Sequence, residues 1–132
     1  PGAGAAGGTA YGFATAWGAT IEPGADYLAA LSGLPEAVAA ADVLITGEGR
    51  FDTTSLAGKL VGRLIGLAGE HGARVGVIAG RVDAAPLAQD GGPLWSASLA
   101  DLSGSTEAAM DDPARWLREA GAEAARAPEL AG

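Results

Sequence analysis

Four charged residues stand close together in the middle of the chain: Glu48, Arg50, Asp52 and Lys59. An arginine guanidinium can bind phosphate or carboxylate with two parallel hydrogen bonds, whereas a lysine ammonium acts as a point charge. A carboxylate can ligate Mg²⁺ or orient a hydroxyl group for attack. These residue types together are typical of a phosphoryl-transfer site, in which Glu48 and Asp52 are the candidate Mg²⁺ ligands.

The same charged residues also have a simpler interpretation. Arg50 and Asp52 could merely pair at the surface, an interaction that contributes little to stability. The segment is not a standard phosphate-binding P-loop either, because the residue after its Gly-Lys pair is Leu60, where that loop needs serine or threonine. Gly47 and Gly49 nevertheless permit a tight backbone that would present the charged side chains, and the combination favours a ligand site.

The charged stretch follows a predicted strand. The apolar run over 43–46 predicts a buried strand, and the residues 47–50 predict a polar loop at its end. Helical spacing follows over 56–69, and a second apolar run over 75–79 predicts another buried strand. The strand-helix-strand order predicts parallel strands with a right-handed crossover. Ligands of open α/β sheets bind at the loops that leave the carboxyl ends of the strands, which is where this loop lies.

Arg81 and Asp83 provide secondary candidates. They end the second predicted strand at the same edge of the sheet as the loop around Glu48, so Arg81 could contribute to binding substrate or phosphate. The alternative is that these charges are only solvated, as most exposed charges after a strand are.

The glycine-rich opening of the chain contains the spacing Gly2-x-Gly4-x-x-Gly7 of a dinucleotide fingerprint. No strand precedes it in this sequence, and no acidic residue closes a βαβ unit behind it, so the context disagrees with a Rossmann cofactor site. We interpret it as a turn that opens a helix over about 6–17. The amides around Gly4 and Gly7 could receive an anion, or the small residues could serve only close packing.

The remaining patterns complete an α/β fold. Short helices are predicted over 25–33 and 35–41, a third strand over 94–99, and an amphipathic helix over 114–127, with helix starts near Ser105 and Asp112. The predicted architecture is a layered, Rossmann-like sheet whose parallel βαβ unit has strands at about 43–46, 75–79 and 94–99, flanked by helices. We treat residues 1–132 as one segment.

Composition excludes several classes of function. A net charge of −8 argues against nucleic acid as a partner. The chain has no cysteine, which excludes disulfides and thiolate metal sites, and its lone His71 fits a helix end. No apolar run approaches the roughly 18 residues that a membrane span needs, and we expect a cytoplasmic protein.

Large side chains are scarce, with only 5% aromatic residues, so we expect the segment to pack against a partner surface, either the rest of a longer protein or a second copy in a homo-oligomer.

Several motifs resemble those of the bacterial glycerate kinase family of the type 1 fold. The stretch Ile45–Asp52, followed by Ser55–Lys59, resembles the family's signature. The opening Pro1–Gly8, the later stretch Ser98–Ser105 and its continuation Glu107–Met110 are also similar to that family and occur in the same order. The resemblance spans nearly the whole chain.

The resemblance implies an activity for the complete protein. It implies transfer of the γ-phosphoryl group of ATP to a hydroxyl group of D-glycerate, with Mg²⁺ as cofactor and a phosphoglycerate, 2-phosphoglycerate, as product. Arg50 and Lys59 would then bind phosphate or the glycerate carboxylate, and Glu48 and Asp52 would orient the metal or the hydroxyl group. It also implies that the chain is the C-terminal third or so of a two-domain kinase, missing an N-terminal portion with further motifs, and inactive or weakly active alone.

The chain departs from the family's pattern at two positions, with Thr54 where glutamine is usual and Val61 where proline is usual. The first departure bears on a polar contact in the site and the second on the entry to a helix. The sequence therefore leaves a second hypothesis open, in which the chain is a non-catalytic anion-binding or assembly module that has kept the fold.

Overall fold

The computed structural model describes residues 4–22, 24–57 and 60–132. The chain forms two compact units, Pro1–Ser32 and Gly33–Gly132. None of the helices within the described ranges is both long and apolar enough to cross a membrane.

The first unit is helical. A 3₁₀ helix at Ala5–Gly8 leads into α1 at Thr9–Trp17, and α2 follows at Gly24–Leu31. The predicted helices over 6–17 and 25–33 are therefore confirmed, except that the first begins with a 3₁₀ turn. That turn depends on glycine, because Gly7 and Gly8 have φ angles of 66° and 82°, in the left-handed region that glycine enters without steric cost.

The second unit is an α/β layer structure with a three-stranded sheet. Its helices before and between the first two strands are α3 (Leu34–Ala39), α4 (Thr53–Leu56) and α5 (Leu60–His71). The strands are β1 (Val43–Phe51), β2 (Arg74–Val82) and β3 (Trp95–Ser98). The remaining helices are α6 (Ala84–Leu87), α7 (Leu99–Ser103), α8 (Thr106–Asp111) and α9 (Pro113–Ala124). The order is β1-β2-β3 and both pairs are parallel, which confirms the predicted α/β class.

The predicted polar loop over 47–50 is wrong, because β1 continues through it to Phe51. The pairing runs in one register from Val43 opposite Arg74 to Phe51 opposite Val82, so β2 also extends past its predicted end at 79 and includes Arg81. The polar residues do not end the strand, since the backbone groups of β1 find partners on β2 whatever side chains they carry.

Helices cover both faces of the sheet. The core on one face is formed with α3 and α5 and includes Val38, Leu64, Ile65, Val75 and Val77. A second cluster on the other face joins Ala97, Leu99, Ala109 and Ala120 to the partly buried Ile78, Trp95, Leu102 and Trp116. Burying a large apolar side chain contributes about 1.5–3 kcal/mol, and the large side chains of the second cluster, apart from Leu99, are only partly buried, so the first face is the better stabilised one.

The predicted helix starts are confirmed by side-chain caps. The Ser105 hydroxyl accepts a hydrogen bond from the Ala108 amide at 3.1 Å at the start of α8, and Asp112 accepts one from the Arg115 amide at 3.2 Å at the start of α9. The predicted helix over 56–69 corresponds to α5, which begins at Leu60, while a separate short helix, α4, precedes it. The third strand, Trp95–Ser98, is shorter than the predicted 94–99.

Candidate functional site

Two arginines lie next to each other at the carboxyl end of the parallel sheet. Arg50 on β1 and Arg81 on β2 are register partners. Side chains alternate between the faces of a strand, so partners in a parallel pair point to the same face. Glu48, two residues before Arg50, shares this face. The fold thus brings together three of the residues that the sequence singles out.

Carboxylates hold the Arg50 side chain in place. Its Nη2 donates to Asp83 Oδ2 at 2.9 Å, and its Nε lies 3.8 Å from Asp52 Oδ2. The hydrogen bond and charge of Asp83, helped by Asp52, raise the pKa of Arg50 above its usual value. The surface pairing of Arg50 with Asp52 that the sequence suggests is therefore present, although Asp83 is the closer partner.

Arg81 is exposed and engages no carboxylate in the described part of the chain. No hydrogen bond or ion pair within those ranges involves its guanidinium. Its planar fork of donors can therefore receive a phosphate or carboxylate without first breaking an ion pair.

Asp52 caps α4. Its Oδ1 accepts hydrogen bonds from the Thr54 amide at 2.8 Å and from the Thr54 hydroxyl at 2.6 Å. The Ser55 hydroxyl completes a capping box by accepting from the Asp52 amide at 3.1 Å. Thr54, one of the departures from the family pattern, thus contributes to the cap, and the carboxylate of Asp52 is largely committed to holding the turn.

Ser55 is a residue that sequence reasoning missed. It is 0% exposed, and its hydroxyl also donates to the Arg50 carbonyl at 3.4 Å. One buried hydroxyl therefore links the end of β1 to the start of α4. The usual capping-box signature has glutamate or glutamine three residues after the cap, so serine at this position gave no clear signal in the sequence.

Glu48 has a buried carboxylate oxygen that makes no hydrogen bond within the described part of the chain. The residue is half-buried, and its Oε1 is buried without a hydrogen-bond partner among the described residues. A buried carboxylate oxygen without a partner is costly, so its position fits contact with a cation. No group of three or more acidic or histidine side chains that could hold a metal occurs in the described ranges, so Glu48 would be a single protein ligand whose other ligands come from elsewhere.

Gly47, Gly49 and Gly80 differ in how much room a side chain would have at their positions. A Cβ on Gly47 would collide with the carbonyl oxygen of Ile78, and one on Gly80 would lie 2.5 Å from the Gly49 oxygen, so both allow the strands to approach. A Cβ on Gly49 would meet nothing within 4 Å.

The other site predictions fall outside this cluster. Lys59 lies outside the described residues. Gly4 and Gly7 belong to the first unit, where Gly4 precedes the 3₁₀ helix and Gly7 lies within it.

Together, the parallel sheet and the charged residues at its carboxyl edge define an α/β protein with a strand-end site suited to an anionic ligand. The chain belongs to the glycerate kinase family, whose sequence model, described as "Glycerate kinase family", matches residues 1–129.

The related proteins are longer than this chain. Uncharacterized proteins of Mycobacterium bovis and Mycobacterium tuberculosis are each 38% identical over 118 residues, which cover 89% of this chain and 31% of the relative. An uncharacterized protein of Synechocystis is 43% identical over 81 residues, covering 61% of this chain and 22% of the relative. The matched segments therefore span less than a third of each relative. No solved structure gives a significant match.

Proposed function

We propose that the chain is part of an ATP-dependent glycerate kinase, which transfers the γ-phosphoryl group of ATP to a hydroxyl group of D-glycerate and forms 2-phosphoglycerate in the cytoplasm. Membership of the glycerate kinase family supports the reaction class. The observation that carries the proposal within the structure is the register pair of Arg50 and Arg81 at the carboxyl edge of the sheet. Phosphoryl transfer depends on fixed cations that position and neutralise phosphate oxygens, which two adjacent guanidiniums supply.

The two arginines take different parts in this proposal. Arg81 binds a phosphate of ATP or the carboxylate of glycerate through donors that no carboxylate engages. Arg50, fixed by Asp83, presents a positive charge of defined position to the same ligand. Lys59 adds a further phosphate contact, as the family resemblance implies, and the amides around Gly47 and Gly49 are further contact candidates.

Glu48 and Asp52 provide the carboxylates of the proposed site. Oε1 of Glu48, which has no hydrogen-bond partner among the described residues, is the best placed ligand for Mg²⁺, which, when bound, neutralises charge on the transferred phosphoryl group. Asp52 orients the metal or the substrate hydroxyl in the proposal, and its engagement with Thr54 keeps its carboxylate at a fixed place beside Arg50.

The chain carries only part of such a cleft. Phosphoryl transfer works by positioning, so a site that lacks one wall loses most of its rate. We therefore expect this chain alone to be inactive or weakly active, and the N-terminal portion of a longer protein to complete the site.

A coupled assay with ATP and D-glycerate on the full-length protein tests the proposal. Arg50→Ala and Asp52→Ala should both lower kcat/KM, whereas the control Arg118→Ala on α9 should match the wild type. Wild-type rates in both site variants would overturn the site assignment. Analysis of the product by ³¹P NMR distinguishes phosphorylation at the 2-hydroxyl group from phosphorylation at the 3-hydroxyl group.

A non-catalytic assembly module is the second candidate, and an apolar groove favours it. The groove has a volume of about 350 Å³ and lies between the exposed Val43 and Ile45 of β1 and the end of the chain around Ala127 and Leu130. Calorimetric titration of this chain with ATP and D-glycerate, together with its mass in solution, separates the two. A stable, associating chain that binds neither ligand favours assembly.

A further inference from the structure

A second cavity opens at the same end of the sheet, on the face opposite to the arginines. Its volume is about 420 Å³, which is within the range of small-molecule sites. Apolar side chains of α7, α8 and α9 form its walls: Leu99, Ala109, Met110 and Pro113. Gly49 and Gly80 form its floor, and Thr106 adds a polar group.

The floor is bare backbone for two different reasons. Gly80 has to be glycine because a Cβ there would lie 2.5 Å from the Gly49 oxygen. Gly49 has no such constraint, since a Cβ there would meet nothing within 4 Å. A glycine inside a strand often marks a bulge, a bend, or a place where another backbone or a ligand approaches closely. Close approach of the neighbouring strand accounts for Gly80, whereas the open space at Gly49 leaves room for a ligand against the backbone.

The cavity adjoins the charged cluster. Gly49 directly precedes Arg50 and Gly80 directly precedes Arg81, so each floor residue lies about 3.8 Å along the backbone from an arginine on the other face. Both strands end within two residues of this floor, at Phe51 and Val82. The cavity and the guanidiniums therefore lie at the same end of the two strands.

These two surfaces together select one kind of ligand. The cavity is flat-floored and mostly apolar, which suits an aromatic ring and not the hydroxyl groups of glycerate, whose hydrogen bonds would be lost there. The neighbouring cations suit an anionic chain. A purine nucleotide has both parts in one molecule.

We propose that this cavity receives the purine base of the nucleotide, with the open space above Gly49 admitting the ring and the phosphates extending over the strand ends to Arg81. This inference rests on the proposed kinase function and adds to it the place where the base binds. The base stacks on the peptide planes of the two strands and contacts Met110, whose side chain is 75% exposed at the mouth and can adapt to the ring.

Separate probes for the two halves of the ligand test the inference. Adenosine carries the base without phosphate, and tripolyphosphate carries the anion without base. In calorimetric titrations of the chain, Gly49→Val should weaken adenosine binding by about tenfold or more, equivalent to about 1.4 kcal/mol, and weaken tripolyphosphate binding clearly less. Arg81→Ala should weaken tripolyphosphate binding and have little effect on adenosine binding. The control Gly66→Val, on α5 where a Cβ also meets nothing within 4 Å, should change neither.

NMR provides a readout that needs no variant. Adenosine should shift the backbone signals of Gly49, Gly80 and Met110 in the wild-type chain. Shifts elsewhere, or equal adenosine affinity in wild type and a folded Gly49→Val variant, would overturn the base site. Equal binding of an aliphatic probe such as hexanol would also overturn it, because the cavity would then be a general apolar groove.

If tripolyphosphate binds and adenosine does not, the base site fails while the anion site stands. If neither binds, the proposed function itself fails for this chain.

Discussion

Arg50 and Arg81 occupy partner positions on adjacent parallel strands, yet only Arg50 is held by carboxylates in the described structure. Two like charges side by side repel each other, and Asp83 relieves that repulsion by pairing with Arg50 at 2.9 Å. The result is one arginine of fixed position beside one that is open to an anion, an arrangement that suits a ligand approaching the end of the sheet.

Arg81 should provide much of the affinity for an anionic ligand. Arg81→Ala should weaken binding of tripolyphosphate or ATP by about ten- to a hundredfold, because hydrogen bonds to charged groups contribute about 1.5–3 kcal/mol. Calorimetry on the chain measures the affinity, and Arg118→Ala on α9 is the matched arginine control. Arg81→Lys should recover only part of the affinity, since an ammonium lacks the planar fork. An Arg81→Ala affinity equal to that of the control would contradict the role.

Asp83 should affect ligand binding more than folding. Asp83→Asn removes the charge that fixes Arg50, so anion affinity should change while the midpoint of urea unfolding stays close to that of the wild type, because exposed ion pairs contribute little to stability. A large drop in the unfolding midpoint would show that the pair is structural.

The raised pKa of Arg50 also predicts the pH dependence of this pair. The stabilisation from a raised pKa is fully present below the ordinary pKa of arginine and is lost only as the pH rises above the folded-state value. Urea unfolding between about pH 6 and pH 9 should therefore show the same difference between wild type and Asp83→Asn at every pH, since arginine stays protonated throughout.

Two substitutions of Asp52 separate its role as a helix cap from a role in the reaction. Asparagine is as good a helix cap as aspartate, whereas alanine is not, and losing a cap costs about 0.5–2 kcal/mol. Asp52→Ala should therefore lower the free energy of unfolding, and Asp52→Asn should preserve it. If the carboxylate orients the metal or the hydroxyl group, Asp52→Asn should still reduce kcat in the full-length protein. Full activity of Asp52→Asn would leave Asp52 with only the capping role.

The features of the fold and of the site that could be predicted from the sequence are those caused by residues close together along the chain. The apolar runs at 43–46 and 75–79 predicted the parallel pair, and the motif around Ile45–Asp52 led to the family that the comparison confirms. The extension of β1 through Gly47 to Arg50 was missed because the β2 backbone, distant in sequence, provides the pairing. The Arg50–Asp83 ion pair likewise joins residues 33 positions apart, and no local pattern predicts such a contact.

Ser55 should be needed for the turn between β1 and α4. Ser55→Ala leaves the Asp52 amide without its acceptor in a buried place, which should cost about 1–3 kcal/mol. Urea unfolding measures the loss, with Ser32→Ala as control, since the Ser32 hydroxyl donates to the Ala29 carbonyl at an exposed position. If Ser55 also positions Arg50, the variant should weaken tripolyphosphate binding under conditions where it remains folded. A variant as stable as the Ser32 control would exclude the capping box as a source of stability.

The glycines at 47 and 49 provide the strictest comparison, because they are two residues apart on one strand and have opposite surroundings. Gly47→Ala places a methyl group against the Ile78 carbonyl of β2, so the strands must separate, and overpacking of this kind costs about 1–3 kcal/mol. Gly49→Ala places the same group in open space and should leave the fold as stable as the wild type or more stable, because alanine restricts the unfolded chain. Urea unfolding of the two variants measures the difference directly. Equal stabilities would mean that β1 and β2 do not approach each other at Gly47 as closely as this register requires.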